Sequence, residues 1–578
     1  MRLINKMLIK YFHRFINFSP FKLSLSINLF FLITYLLFGH IKYEVSDDFI
    51  MQLLVSGGYT GTPSPEIVFM NILIGYFLSF LYTYLPHINW FFWMHIFVIF
   101  ISCFSICYII LKIKNTAIIK FLIVVFLCFF SPDLYLLIQF TKTSTVALLA
   151  SAMFFLYWLI YSTQLHYLIF ASMMSFIGLA IRDKCINIIL PYFILIVFFY
   201  LIINRNIITK KKILNILIIF SISFGNLTLL NIINRYYEDN HANYKSYIQY
   251  NSIRASVLDY PYYDYSKLQE PLQEIGINEN DYLNLTHWNF IDTDFFDYEK
   301  LNNIYDVLND YRDEHPLGIK ASILQLMNQN YYKYVSVMGC LSIFFIGILI
   351  CKKYFVYSSI AILGTGIVLF LYAYIGRLMY RVEYSTFLAL SIYLIVLQLF
   401  LNQRKFKYKK TLIIACCFLI LGRTPLYIGE TSYAYHNLFF SMINVVGKYR
   451  SQFNQENRHN NLIKEFKNNP NNLYLLGFQT MTQTYYLNYS PFTSGCFLDF
   501  QNTIYISGVE TNHPEWKEAL MKWKINNPAL GLLEKNVYLV ENVDQENIFQ
   551  YLKIHFTDEV KIVLYKELDG FKIWKFYI

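Results

Sequence analysis

Charge is what this chain has least of. Asp, Glu, Lys and Arg make up only 15% of its 578 residues, while 56% are hydrophobic. A soluble domain carries roughly 25% charged residues, so an ordinary soluble globule is excluded. Motifs are scarce too. There is no CxxC pair and no His/Cys spacing suited to a metal, which removes zinc ribbons and dithiol redox sites. The tail after residue 429 has no Gly-rich phosphate loop. No A-x-A-like cleavage site follows the first apolar run, 21–39, so that run reads as an uncleaved anchor rather than a signal peptide. No internal repeat with a clear period is visible.

What is present is apolar length. Stretches of about 18 or more apolar residues, each a candidate membrane helix, recur as far as residue 428. The net charge of +10 does not point to nucleic acid, because the basic residues sit in short clusters between these runs. That is the pattern of cytoplasmic loops. Cys103, Cys107, Cys128, Cys340, Cys351, Cys416 and Cys417 lie in or beside apolar runs, where cysteine behaves as a small hydrophobe. Cys185 and Cys496 lie outside them and define no disulfide framework. Heavy use of Ile, Asn, Lys, Phe and Tyr suggests an AT-rich genome of bacterial type.

Basic clusters set the topology. Residues 1–20 carry Arg2, Lys6, Lys10 and Arg14 on one helical face. They read either as a cytoplasmic interfacial helix or as a basic flank that orients the first span, and both place the N-terminus inside. Lys112/Lys114/Lys120, Arg205 with Lys210–Lys212, Lys352/Lys353 and 404–410 all fall on the cytoplasmic side if run 67–85 lies at the interface instead of crossing. The expected fold is therefore a polytopic α-helical membrane protein with about eleven transmembrane helices. They fall near 21–39, 90–111, 117–131, 143–162, 166–181, 186–203, 213–233, 333–351, 354–375, 384–401 and 411–428. Four segments are then extracytoplasmic: the loop 40–89, an insert 234–332, the loop 376–383, and a tail from 429 to 578. The tail alternates short β-like runs with helical ones, which predicts a small C-terminal α/β domain.

The chemistry-bearing residues cluster on those outer segments. "SDDFIM" places Asp47 and Asp48 just past the first span. A carboxylate at the membrane edge is a candidate general base, and burial raises its pKa toward a working range. The plainer reading is a solvated acidic loop or a helix start at Ser46–Asp47. Lys142, Arg182, Lys184, Arg377 and Arg381 also fall on the outer side, against the orientation bias. Arg suits bidentate phosphate recognition; the alternative pairs Arg182 with Asp183 and Arg381 with Glu383 as edge charges. Trp288, in "NLTHWNFIDTDFF", reads either as a sugar-stacking residue or as the core of a small cap.

An acidic motif after the first span, an interfacial run led by "TGTPSPEIVFMNILIG", and a soluble tail together resemble the GT-C superfamily of integral-membrane glycosyltransferases. That superfamily includes the protein O-mannosyltransferases and the bacterial aminoarabinose transferases. The resemblance covers the organisation of residues 1 to 233, with 21–233 as the GT-C-like module and 40–89 as its catalytic first loop. Residues 333–428 are further membrane helices. The chain lacks the His-Pro-Pro element of the O-mannosyltransferases, having Ser64 and Pro65 near that place, and it lacks a WWD-type motif.

The resemblance implies a sugar donor on a polyprenyl phosphate and a glycan or lipid acceptor in the cell envelope. Lys142, Arg182, Lys184, Arg377 and Arg381 would hold the lipid phosphate. Asp47 or Asp48 would act as base in an inverting displacement, and a divalent cation (Mg or Mn) at the acid pair is an option. Other classes fit less well. These are a polysaccharide polymerase or ligase of the O-antigen type, a transporter or flippase of envelope glycolipids, and an envelope scaffold.

Overall fold

The computed structural model describes residues 18–39, 41–203, 209–327, 331–401, 460–481, 491, 502–542 and 545–578. The basic segment expected over 1–20 lies almost wholly outside the described residues, as does the expected span 411–428.

Apolar runs become helices because a chain in lipid must satisfy its backbone polar groups internally. Helix α1 (Pro20–Phe38) starts on Ser19, whose hydroxyl accepts from Lys22 N at 3.4 Å, with Pro20 at the first helical position. The strand β1 (Lys42–Tyr43), α2 (Ser46–Ser56) and α3 (Ile72–Tyr84) follow. Next come α4 (Trp90–Ile113), α5 (Ala117–Leu136), β2 (Leu137–Ile138), α6 (Phe140–Ile160), α7 (Leu165–Ile181), α8 (Ile186–Ile203) and α9 (Lys210–Asn240). Beyond the insert, α13 (Tyr331–Ile350), α14 (Lys352–Tyr374) and α15 (Tyr380–Phe400) complete the described bundle. Among the described residues, eight helices are long and apolar enough to cross a membrane: α1, α4, α5, α6, α8, α9, α14 and α15. Helix α7 and the middle of α13 are apolar but shorter. The described chain is a polytopic helical protein on that count.

Helix ends sort to two ends of the bundle. Parallel pairing of Lys42 with Leu137 and Tyr43 with Ile138 sets the end of α1 beside the start of α6. Asn89, the N-cap of α4, donates to Gln52 of α2 at 2.9 Å. Helix α3 begins and finishes at this same end. Asn71 N donates to Ala180 O near the end of α7 at 2.8 Å, and Tyr82 OH donates to Asn89 Oδ1 at 3.0 Å. The other end gathers lysines: Lys112 of α4 bonds the Tyr167 hydroxyl near the start of α7, and Lys212 Nζ donates to Tyr200 OH at 2.8 Å.

The insert is helical: α10 (Ala242–Leu258), a short helix Gln269–Glu274, α11 (Glu279–Thr286), α12 (Tyr298–Glu314) and Ile319–Met327. Its core includes Val257, Leu272, Tyr282, Leu301 and Leu308, with Tyr551 contributed by the tail. The tail holds α16 (Asn460–Asn468), β3 (Leu473–Leu476), β4 (Thr503–Tyr505), α17 (Pro514–Lys522), β5 (Val537–Val540), α18 (Glu546–His555), β6 (Lys561–Leu568) and β7 (Phe571–Tyr577). The five strands order as β4-β3-β5-β7-β6, parallel across β4-β3-β5 and antiparallel beyond. Strand formation in all five β-like runs of the sequence gives an α/β unit.

Polar bonds lock the tail onto the rest. Tyr551 OH donates to Asp292 at 2.9 Å, and Asn527 donates to Asp292 and Asp294 at 2.8 and 2.9 Å. Tyr247 OH donates to Val509 O at 2.6 Å, and Lys522 Nζ donates to Thr60 O at 2.6 Å.

Candidate functional site

The loop that follows α1 is built to fold back. Helix α2 ends at Gly57, whose φ of +80° is a left-handed cap. A Cβ at Gly57 would sit 2.6 Å from the Thr62 backbone, and one at Gly75 would sit 1.8 Å from the Pro65 carbonyl oxygen. Glycine at these two points lets "GGYTGTPSPE" lie against both α2 and α3. Asp47 and Asp48 occupy the first turn of α2, where carboxylates complement the helix dipole.

Successive helical residues point in different directions, and the two acids part company. Asp48 is fully buried, and its Oδ1 accepts from Phe140 N, the first residue of α6, at 3.0 Å. It thus satisfies one of the orphan N–H groups of that helix. Burial, reinforced by the charge of Asp47, holds its pKa well above the usual carboxylate range. Asp47 is half-buried and faces a cavity of about 590 Å³, a volume typical of small-molecule sites. Burial raises its pKa as well, with Arg381 the strongest opposing influence.

Several distant segments wall this cavity. Residues 45–47 with Ile50, and residues 68–72, form one side, the end of α7 with Arg182 and Lys184 another, and Arg377 of the α14–α15 turn with Arg381 in the first turn of α15 a third. Helix α10 and Trp288 come from the insert, and Phe478, Gly508 and Val509 come from the tail. Arg182 does not pair with Asp183. Its guanidinium lies over the stacked rings of Phe69 and Phe140, 4.9 and 5.2 Å from their centroids. Among the described residues Arg381 makes no ion pair within 4 Å, whereas Arg377 Nη2 pairs with Asp259 at 2.8 Å. Phe69 and Trp288 both hold positive φ, 67° and 61°. Such strain at bulky residues persists only where the surroundings impose it, and it concentrates at functional sites.

Geometry therefore brings Asp47, Arg182, Lys184, Arg377 and Arg381 to one cavity. It does not bring Asp48 or Lys142 there, which corrects the expected grouping. Lys142 is 1% exposed and forms ion pairs with Glu44 and Asp133. Its ammonium also lies 4.9 and 4.8 Å from the ring centroids of Tyr380 and Tyr384. Three ionised groups out of water must compensate one another, so Lys142 is committed to the bundle and has no charge to offer a phosphate. The folding away of Asp48 also bears on metal binding. A hard divalent cation needs several anionic or carbonyl oxygens, and one oxygen of Asp48 is already taken by the Phe140 amide. Among the described residues no group of three His, Cys, Asp or Glu side chains converges.

Three further residues at or beside the site come forward in the structure, of which only Trp288 stood out in the sequence. Arg254 of α10 lines the cavity at 2% exposure, its Nε donating to Asn251 Oδ1 at 3.0 Å. Trp288 stacks on Phe478 of the tail, centroids 4.7 Å apart and planes at 15°. Trp288 is thus a joint between insert and tail as well as part of the wall. Glu510, two residues past Gly508, is fully buried. Burial pushes its pKa up to about 7. Arg254 and Trp288 reach the cavity wall only through tertiary contact, and Glu510 follows directly on the wall residues Gly508 and Val509. Neither a family model nor a curated protein nor a solved structure matches this chain.

Proposed function

We propose that this protein is a membrane glycosyltransferase of GT-C type. It moves a sugar from a polyprenyl-phosphate donor to a cell-envelope acceptor at the extracytoplasmic face. The observation that carries this reading is the cavity in which a half-buried Asp47 faces Arg182, Lys184, Arg377 and Arg381. A base poised among guanidinium groups suits one reaction type well: attack by a hydroxyl on a carbon whose leaving group is a phosphate.

The steps balance without further reagents. Asp47 takes the proton of the acceptor hydroxyl as its oxygen bonds to the anomeric carbon. The bond from that carbon to the phosphate oxygen breaks, and the electron pair leaves with the phosphate. Arg381, Arg182 and Lys184 stabilise the developing charge, so no acid is needed on the leaving side. One displacement inverts the anomeric centre. Lys142 takes no part, and Asp48 serves by fixing α2 against the start of α6. Incubation of the purified full-length protein with radiolabelled polyprenyl-phosphate sugars should release or transfer label for at least one sugar. No release across the panel would overturn the reading.

The proposal fixes a topology of about eleven spans with residues 40–89, 234–332 and 429–578 outside. Thr62, Ser266 and Glu518 are exposed at the cavity end, and Lys211 is exposed at the other. Cysteines placed at the first three should react with an impermeant maleimide in intact cells. Lys211→Cys should react only after permeabilisation. Labelling of Thr62→Cys from the cytoplasm alone would place the cavity on the wrong side.

The pH profile offers a further check. Asp47 works only when deprotonated, so transfer falls as pH drops through its raised pKa. Arg381 is the cation that most lowers that pKa. Arg381→Gln should therefore move the acidic limb of the rate profile to higher pH, besides weakening donor binding. An unmoved limb would argue against Asp47 as the titrating base.

A further inference from the structure

The cavity wall holds a further cation, Arg254, which comes from helix α10 of the insert, whereas Arg182, Lys184 and Arg381 come from the membrane bundle. Arg254 is 2% exposed, yet its Nη1 has no hydrogen-bond partner among the described residues. Asp259 Oδ1 stands 4.0 Å from that nitrogen, beyond hydrogen-bonding reach, and the other oxygen of Asp259 is held by Arg377 at 2.8 Å. The guanidinium is positioned by other means. Asn251 accepts from its Nε, and the Trp288 ring centroid lies 5.4 Å from its central carbon. Phe478 backs that ring from the tail.

A buried charged donor left unbonded is costly. Here it lines an open cavity and is hydrogen-bonded by an amide and flanked by an aromatic, with the Asp259 carboxylate only at the 4.0 Å limit of an ion pair. Asp47 and Glu510 act on it only through their fields, and a Glu510 carboxyl with a pKa near 7 is in part neutral at neutral pH, which weakens its competing charge. Arg254 and Trp288 belong to the insert, and Phe478 to the tail, so this subsite is made by the segments outside the membrane helices.

We infer that Arg254, steadied by Trp288 and Asn251, forms an acceptor subsite for an anionic group, a carboxylate or phosphate carried on the acceptor glycan. The inference rests on the glycosyl-transfer reading for the word acceptor, and its chemistry stands on the cavity alone. A charged partner for an Arg donor adds enough binding energy for about a tenfold preference over the neutral analogue.

The test uses full-length protein in detergent and binding measurements with four probes: methyl glucuronide, a hexose 6-phosphate, neutral methyl glucoside, and undecaprenyl phosphate. Wild type should prefer one or both acidic sugars to the neutral glycoside. Preference for the uronide identifies a carboxylate site, and preference for the sugar phosphate a phosphate site. Arg254→Gln should abolish the preference and leave undecaprenyl phosphate binding unchanged, while Arg381→Gln should do the reverse. Arg254→Lys keeps the charge and guards against misfolding of the Gln variant; it should retain part of the preference. Absence of any preference in wild type, or its survival in Arg254→Gln, overturns the subsite. Loss of lipid-phosphate binding in a well-folded Arg254→Gln variant also overturns it, because Arg254 would then belong to the donor site. Acid preference without any binding of undecaprenyl phosphate leaves the subsite standing and sinks the glycosyl-transfer reading instead.

Discussion

Asp47→Asn should cost about 10²- to 10⁴-fold in transfer rate, the range for removing a positioned base, with donor binding retained. The adjacent Asp48→Asn should leave the rate little changed. Asp48 sits in the core with a raised pKa, and its Oδ1 accepts from Phe140 N. An asparagine matches the aspartyl group in shape and still accepts that bond. Asp48→Ala, in contrast, removes the acceptor and leaves an N–H at the start of α6 unsatisfied, so it should lower thermal stability. Single-turnover transfer with a labelled donor measures the first pair, and melting in detergent measures the third. Equal loss in both Asn variants would contradict the division of labour between the two acids. Near-full activity of Asp47→Asn would favour a polymerase or ligase that does not depend on a first-loop acid.

Lys142→Met carries the second large effect, and it acts on folding. The substitution strands Glu44 and Asp133 in the bundle without their cation, and breaking a buried ion pair from one side costs about 3–5 kcal/mol. The melting temperature should fall sharply. Tyr380, one residue before Arg381, bonds to Asp133 through its hydroxyl, so the start of α15 loosens as well. Pairing Lys142→Met with Glu44→Gln and Asp133→Asn removes the stranded charges and should recover most of the loss. A single Lys142→Met variant that melts like wild type but loses lipid-phosphate binding would return Lys142 to the donor site.

The contrast between these residues shows what a sequence of this kind makes legible. Apolar runs declare themselves one at a time, because lipid demands a continuous helix. Helices accordingly occupy ten of the expected span positions, and the tail strands fall on its β-like runs. Outer-side cations stood out because they oppose the charge bias of loops, and Arg182, Lys184, Arg377 and Arg381 do line the cavity. Lys142 looked the same in sequence. Its partners Glu44 and Asp133 lie on other segments, and Asp133 is embedded in the apolar α5, so nothing local marked it as spoken for. The split between Asp47 and Asp48 was equally hidden, since adjacent carboxylates differ only in which way a helix start is turned. Arg254 and Glu510 occur in polar stretches where charged residues are common, and only packing singles them out; Trp288 stood out in the sequence, but its stacking on Phe478 did not.

One consequence concerns timing during synthesis. The acid enters the membrane near the start of translation, yet the last wall of its chamber, at Gly508 and Val509, emerges some 460 residues later. A ribosome-bound intermediate therefore carries Asp47 without a closed cavity around it. Any truncation before residue 509, however well its helices insert, should leave an inert protein.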